Sequence, residues 1–123
     1  MTQRSLTIEL PWPSPKLSPN GRNHWAVLAK AKKLARGDAL LLTQSAICSQ
    51  GKPDLGDKIP VRITFYPPDN RRRDDDNMVA SFKAYRDGIA DALGVDDRCF
   101  RPHYFFEDAA KPGRVTVEIG GAL

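Results

Sequence analysis

The chain opens on an alternating pattern. Leu6, Ile8 and Leu10 fall on one side of an extended backbone and Thr7 and Glu9 on the other, the period of a half-buried strand over Ser5 to Leu10. Pro11, Pro13 and Pro15 end it. A proline-dense loop follows, long enough to suggest a functional segment, and closes in the hydrogen-bonding run Asn20-Gly21-Arg22-Asn23-His24. From about Trp25 to about Cys48 the period turns helical. Leu28, Ala31, Leu34 or Ala35, Leu41, Leu42 and Ser45 form the expected apolar or small stripe, with Lys32, Lys33 and Arg36 gathered on another face. Gly37 costs about 1 kcal/mol relative to Ala and marks a place for a break. The turn-rich segment Gly51 to Asp57 leads to a second alternating run, Ile59 to Pro67, with Val61, Ile63 and Phe65 inward. Another helix follows. Then come an aromatic extended stretch from Cys99 to Glu107 and a last alternating run from Arg114 to Ile119. The order β-α-β-α-β-β predicts a two-layer α+β fold. Two helices cover one face of a mixed, mostly antiparallel sheet, and residues 1–123 form one domain.

The second helix carries the chemistry. It is preceded by Asn70-Arg71-Arg72-Arg73-Asp74-Asp75-Asp76-Asn77 and followed by Gly94-Val95-Asp96-Asp97. At 100° per residue, Met78, Phe82, Tyr85, Ile89 and Leu93 share one side within about 80°, while Asp76, Ala80, Lys83, Asp87 and Asp91 share the opposite side. Asp74 and Asp76 converge only if the chain stays extended up to about Asp76, where the helix then starts with Asp76 near the cap. Asp75 points away. Gly94 is placed to end the helix in a left-handed conformation. Two explanations of the acids stand side by side at this point. They cap and complement a helix N-terminus, or they hold a divalent cation. Lys83, four residues before Asp87, is equally a surface-pair residue on this evidence alone.

Charge changes the picture modestly. Lys and Arg number 19 against 15 Asp and Glu, a net charge of +4. Its clustering at Lys30, Lys32, Lys33 and Arg36, and again at Arg71 to Arg73, is the more informative fact, because a basic stripe is either a solvated face or a phosphate-binding one. Cys48 and Cys99 match no zinc spacing and make no disulfide framework, so reduced thiols are expected. No apolar run reaches the roughly 20 residues of a membrane span, and Met1-Thr2-Gln3-Arg4 leads into a strand instead of a signal core, which points to a cytoplasmic protein. His24 and His103 stand far apart and fit surface or polar-network roles better than that of a general base.

Arg71-Arg72-Arg73-Asp74-Asp75-Asp76-Asn77, the following helix with its lysine, the pair Asp96-Asp97, and Leu10-Pro11-Trp12-Pro13-Ser14 closing a first strand together resemble the RusA family of Holliday-junction resolvases. The resemblance runs from near residue 5 to the last strand. It implies a RusA-like fold and a small homodimeric endodeoxyribonuclease, dependent on Mg²⁺ with Mn²⁺ as a substitute, that cuts four-way DNA junctions by paired nicks. It implies Asp74, Asp76 and Asp97 as metal ligands. The family lysine stands one turn after the two acids, where this chain has Ala80. Lys83, three residues later on the same face, takes the role by resemblance. Arg71, Arg72 and Arg73, with Lys32, Lys33 and Arg36, are then the expected grip on DNA phosphates. Whether Asp97 folds back to join Asp74 and Asp76 is a question of tertiary structure. A branched-DNA-binding protein without catalysis, and a metal nuclease acting on another nucleic-acid structure, are the alternative functions.

Overall fold

The computed structural model describes residues 5–18 and 24–120. The end of the loop at Asn20 to Asn23, and Met1 to Arg4, lie outside the described residues. Strand β1 (Ser5–Pro11) is followed by a 3₁₀ turn at Pro15–Leu17 and helix α1 (Trp25–Gln50). Strand β2 (Ile59–Tyr66) leads to helix α2 (Asp75–Leu93). A second 3₁₀ turn, Asp97–Cys99, runs straight into β3 (Phe100–Phe106), and β4 (Arg114–Gly120) ends the fold. The sheet order is β1-β4-β2-β3. β4 runs antiparallel to both of its neighbours, and β3 runs parallel to β2. The expected α+β order and mixed, mostly antiparallel sheet are present, and α1 shows no break at Gly37.

Strand alternation places the core as the pattern requires. Leu6, Ile8 and Leu10 of β1, Val61, Ile63 and Phe65 of β2, and Val115, Val117 and Ile119 of β4 are all buried on one face. Against them lie Phe82, Tyr85, Ile89 and Leu93, the stripe read from the helical period of α2, with Met78 half-buried at its end. Phe65 is the hub: Phe82 and Trp12 meet it edge-on at 6.1 Å, and Phe106 stacks on it at 5.4 Å. The Tyr85 hydroxyl donates to the Pro11 carbonyl at 3.2 Å and ties the end of β1 to α2. Burial, with the nearby Asp38 charge, pushes its pKa up to about 12.

Helix α1 departs from expectation in its buried face. The residues turned inward are small: Ala31, Ala35, Ala39, Thr43 and Ala46. Ala31 belongs to the expected stripe, and of the pair Leu34 or Ala35 it is Ala35 that turns inward while Leu34 is 60% exposed. Leu41 and Leu42, also expected there, are exposed, Leu41 to 65%. The reason is the close approach of the two helices. A Cβ at Gly88 of α2 would collide with the Arg36 carbonyl oxygen and stand 2.8 Å from the Ala39 Cβ. Helices this close admit alanine and glycine but not leucine at the contact, so packing overrides the hydrophobicity ranking.

The last residue of α1 also closes one margin of the sheet. The Gln50 side chain accepts from the Thr7 N–H at 3.0 Å and donates to the Thr7 carbonyl at 2.8 Å, filling both backbone positions of Thr7 on the open side of β1.

Candidate metal and nucleic-acid site

The site is built along α2, and its start is defined by Asp74. This residue is extended (φ −85°, ψ 126°) and is itself the N-cap. Its Oδ1 accepts from the Asp76 N–H at 3.0 Å, and the helix begins at Asp75. The expected extended-to-helix step is therefore present but sits two residues earlier than Asp76, because the shorter reach from Asp74 to the second helical N–H satisfies an orphan donor at once. Asp74, Asp75 and Asp76 are all exposed. At the other end Gly94 adopts φ +70°, the left-handed stop read from sequence, and the N–H of Val95 returns to the Ala90 carbonyl.

Two turns along the same face the charges interlock. Lys83 Nζ donates to Asp87 Oδ1 and to Asp97 Oδ2, each at 2.7 Å. Arg86 Nη2 donates to the Asp97 carbonyl oxygen at 3.0 Å. Its Nε stands 3.6 Å from Asp97 Oδ2, inside ion-pair range but too long for a hydrogen bond, and is left buried without a partner. Arg36 of α1 grips Asp91 through two bonds of 2.6 and 2.9 Å. The Lys83 bond holds the Asp97 carboxyl below its ordinary pKa, and the Arg36 bond does the same for Asp91. Burial pulls Lys83 down, but the bonds to Asp87 and Asp97 outweigh it and the net shift is upward.

Thus the chain does fold back after Gly94, and the Asp97 carboxylate meets Lys83 and Arg86. Lys83 lies seven residues beyond Asp76, about 10 Å along the helix axis. The carboxylates are hard oxygen donors of the kind Mg²⁺ takes. With the helix already begun at Asp75, however, the extended geometry expected to bring Asp74 and Asp76 together is not met, and what joins them is the Asp76 N–H on the Asp74 carboxylate. Among the described residues no three Asp, Glu, His or Cys side chains are gathered in a group able to hold a metal. The donor chemistry fits such an ion; the assembled triad is not part of this arrangement.

The arginines divide as well. Arg73 is turned inward, its side chain 18% exposed. It donates to the Asp69 and Arg71 carbonyl oxygens at 3.0 and 3.1 Å, pairs with Asp69 Oδ1 at 2.9 Å, and lies over the Trp12 ring at 5.5 Å. It staples the loop before α2. Arg71, 79% exposed, touches Asp69 only at 3.8 Å, and Arg72 has no ion pair among the described residues. The Arg71 N–H bonded to Asp69 holds the Asp69 carboxyl low. Lys32, Lys33 and Arg36 of α1 and Lys83 and Arg86 of α2 line one groove of about 690 Å³ between the helices. A second cleft of about 430 Å³ lies between the proline-rich loop and the arginine segment, with Asp74 in its wall.

Sequence reading did not single out Arg86, Asp69 or Trp12 for the site. Arg86 stands three residues after Lys83, and that spacing was the available signal. The role of Asp69 depends on the loop's shape, which has no periodicity to read. His24 caps α1, its Nδ1 accepting from the Ala26 N–H at 3.2 Å. Cys48 and Cys99 are free thiols. Among the described residues no helix is long and apolar enough to cross a membrane.

Comparison with known proteins adds a family and no activity. No family model matches the chain. A protein of Xylella fastidiosa (strain Temecula1 / ATCC 700964), described as uncharacterized, is 47% identical over 116 residues, which cover 94% of this chain and 76% of that protein. The chain belongs to that protein's family. Among solved structures, a cyanuric acid hydrolase from A. caulinodans overlays 96% of the chain at 14% identity and a TM-score of 0.39, and the chain spans 39% of its length. A likeness this weak assigns neither fold nor chemistry.

Proposed function

We propose that this chain, a member of the family just named, is a Mg²⁺-dependent endodeoxyribonuclease of the RusA type that resolves four-way DNA junctions by paired nicks. The observation that carries the reading is convergence. Basic residues picked out on two separate helices line a single groove, and that groove adjoins Lys83 and its bonded partner Asp97. A polyanion lying there meets Lys32, Lys33 and Arg36 on one wall and Lys83 and Arg86 on the other. Arg71 and Arg72 extend the cationic surface at the start of α2.

Asp74, Asp76 and Asp97 are the residues that would hold the ion. When bound, it would lower the pKa of water and stabilise charge on the phosphoryl group. The rest falls to the chain's own residues. Lys83, kept protonated by Asp87 and Asp97, presents positive charge where a phosphoryl oxygen gains negative charge. Arg36, locked onto Asp91, holds the α1 wall of the groove against α2. A homodimer belongs to this reading, because two opposed nicks need two sites in fixed relation. The outward Val27, Leu34, Leu41 and Leu42 of α1 supply apolar surface that favours self-association.

A second reading has an observation of its own. With Asp97 engaged by Lys83 and Arg86, and the Asp74 side chain spent on its cap bond, the acids also suit a branched-DNA-binding protein without catalysis. Incubation of a synthetic four-way junction with Mg²⁺ separates the two. The nuclease nicks symmetrically, Asp76→Asn abolishes nicking, and Lys83→Ala sharply reduces it while junction binding persists. Binding without nicking by the wild type sinks the first reading. Normal cutting by Asp76→Asn sinks the site.

A further inference from the structure

The cleft at the start of α2 has a composition that the phosphate-gripping role leaves unexplained. Its walls are mostly apolar, built from Trp12 of the proline-rich loop, Phe65 of β2 and Met78 of α2. Trp12 is half-buried and braced edge-on by Phe65, so its ring is held in one orientation. Its rim carries Arg71 and Arg72, both exposed, and Asp74. Asn77, one turn into the helix, also lines the cleft, and its amide has no hydrogen-bond partner among the described residues. A duplex backbone needs only the rim. Fixed aromatic and apolar walls, a free amide and flanking cations together match a flat, hydrogen-bonding ring carried on a phosphate chain.

We propose that this cleft takes one unstacked nucleobase of a bound DNA strand. The ring packs against Trp12 and Met78. The adjoining phosphates lie on Arg71 and Arg72. The Asn77 amide reads the base edge, offering both a donor and an acceptor. About 430 Å³ is room for a single nucleotide and not for a duplex. Arg73, bonded to Asp69 and lying over Trp12, fixes the loop that forms the cleft. The base would enter directly beside Asp74, so the cleft selects an open strand at the point where the proposed site acts. The inference rests on the nucleic-acid reading above.

The two tryptophans allow a direct test. In a Trp25→Phe background Trp12 is the sole tryptophan, and its emission reports the cleft. The protein is titrated with dye-labelled eight-nucleotide single strands (dA8, dC8, dT8), a four-way junction and a paired duplex, occupancy being followed by anisotropy. Single strands and the junction are expected to change Trp12 emission saturably, in step with occupancy, while the duplex at equal occupancy leaves it unchanged. Trp12→Ala should weaken single-strand binding about 5- to 100-fold. Asn77→Ala, at a half-buried position in the first turn of α2 and with an unchanged melting temperature as its control, should flatten the affinity differences among the three oligonucleotides. An unchanged Trp12 signal at saturation, or an equal change with duplex, overturns the base cleft. That result leaves the nuclease reading standing if Mg²⁺-dependent nicking persists. Conversely, a saturable Trp12 response in a protein that never nicks supports the cleft and removes the nuclease. Failure to bind any of the DNAs overturns both.

Discussion

Gly88→Ala and Gly37→Ala make the same chemical change in two helices, and the structure gives them opposite signs. Each exchange gains about 1 kcal/mol of helix propensity. At Gly37 nothing lies within 4 Å of the added Cβ, so the gain stands. At Gly88 the Cβ meets the Arg36 carbonyl oxygen, with the Ala39 Cβ at 2.8 Å. These are backbone and a rigid methyl, with no flexible side chain to swing aside. Overpacking of this kind costs about 1–3 kcal/mol, and a backbone obstacle puts it at the upper end. The net expectation is a loss of about 1–2 kcal/mol for Gly88→Ala and a gain of about 1 kcal/mol for Gly37→Ala. For a chain of this length each kcal/mol moves the melting temperature by roughly 3–6 °C, so calorimetry should resolve the two variants on either side of wild type. The separation of α1 and α2 also sets the width of the groove between Lys33 and Lys83, so Gly88→Ala should weaken DNA binding and Gly37→Ala should not. Stabilisation by both variants would refute the close helix approach, and with it the reason given for the outward leucines of α1.

Three other outcomes follow from the same structure. The Thr43 hydroxyl is buried in α1 without a hydrogen-bond partner among the described residues, so Thr43→Val should stabilise by about 1 kcal/mol in urea unfolding, and destabilisation would mean that the hydroxyl is satisfied. Asp91 is depressed by Arg36, so its stabilising contribution is complete above the ordinary carboxylate pKa near ~3.9 and is lost as pH falls through the lower folded value. Arg36→Ala should return the Asp91 carboxyl titration followed by NMR to the ordinary range, and an unmoved midpoint would dissolve the pair. Junction affinity should fall steeply with salt, and Lys33→Ala or Arg72→Ala should each flatten the slope of log K against log [salt] by about 1, whereas an unchanged slope removes that residue from the phosphate contacts.

The strands and the buried face of α2 were legible because both depend on a period that the chain repeats. Val61, Ile63 and Phe65 alternate, and Phe82, Tyr85, Ile89 and Leu93 recur at helical spacing; a single buried face suffices to fix each. Helix α1 was misleading for the complementary reason. Its first half was read with Ala31 and, as the alternative to Leu34, Ala35 in the stripe, and both do turn inward. In the second half Leu41 and Leu42 score as buried when hydrophobicity alone is weighed, yet Ala39, Thr43 and Ala46 face inward, and at Ala39 Gly88 brings α2 too close for anything larger. The parallel pairing of β2 with β3 has no local signature. Within the candidate site, the charged face from Asp76 to Asp91 and the left-handed Gly94 could be read from spacing. The grip of Lys83 on Asp97 could not, since it depends on how tightly the chain turns after Gly94. Nor could the inward turn of Arg73, which is decided by the carbonyls of Asp69 and Arg71 that the loop happens to present.

The amide of Gln50 on Thr7 has a bearing on how copies of the chain can meet. β1 and β3 are the outer strands of the sheet, and outer strands are where a second molecule usually adds its own. At β1 the glutamine already occupies the rung at Thr7, in the middle of the strand. In β3, Pro102 removes an N–H from the row that a newcomer would need. Both margins thus discourage a sheet continuous from one molecule to the next. Copies that associate are left to do so through side chains, and such contacts can be undone one residue at a time without unravelling either fold.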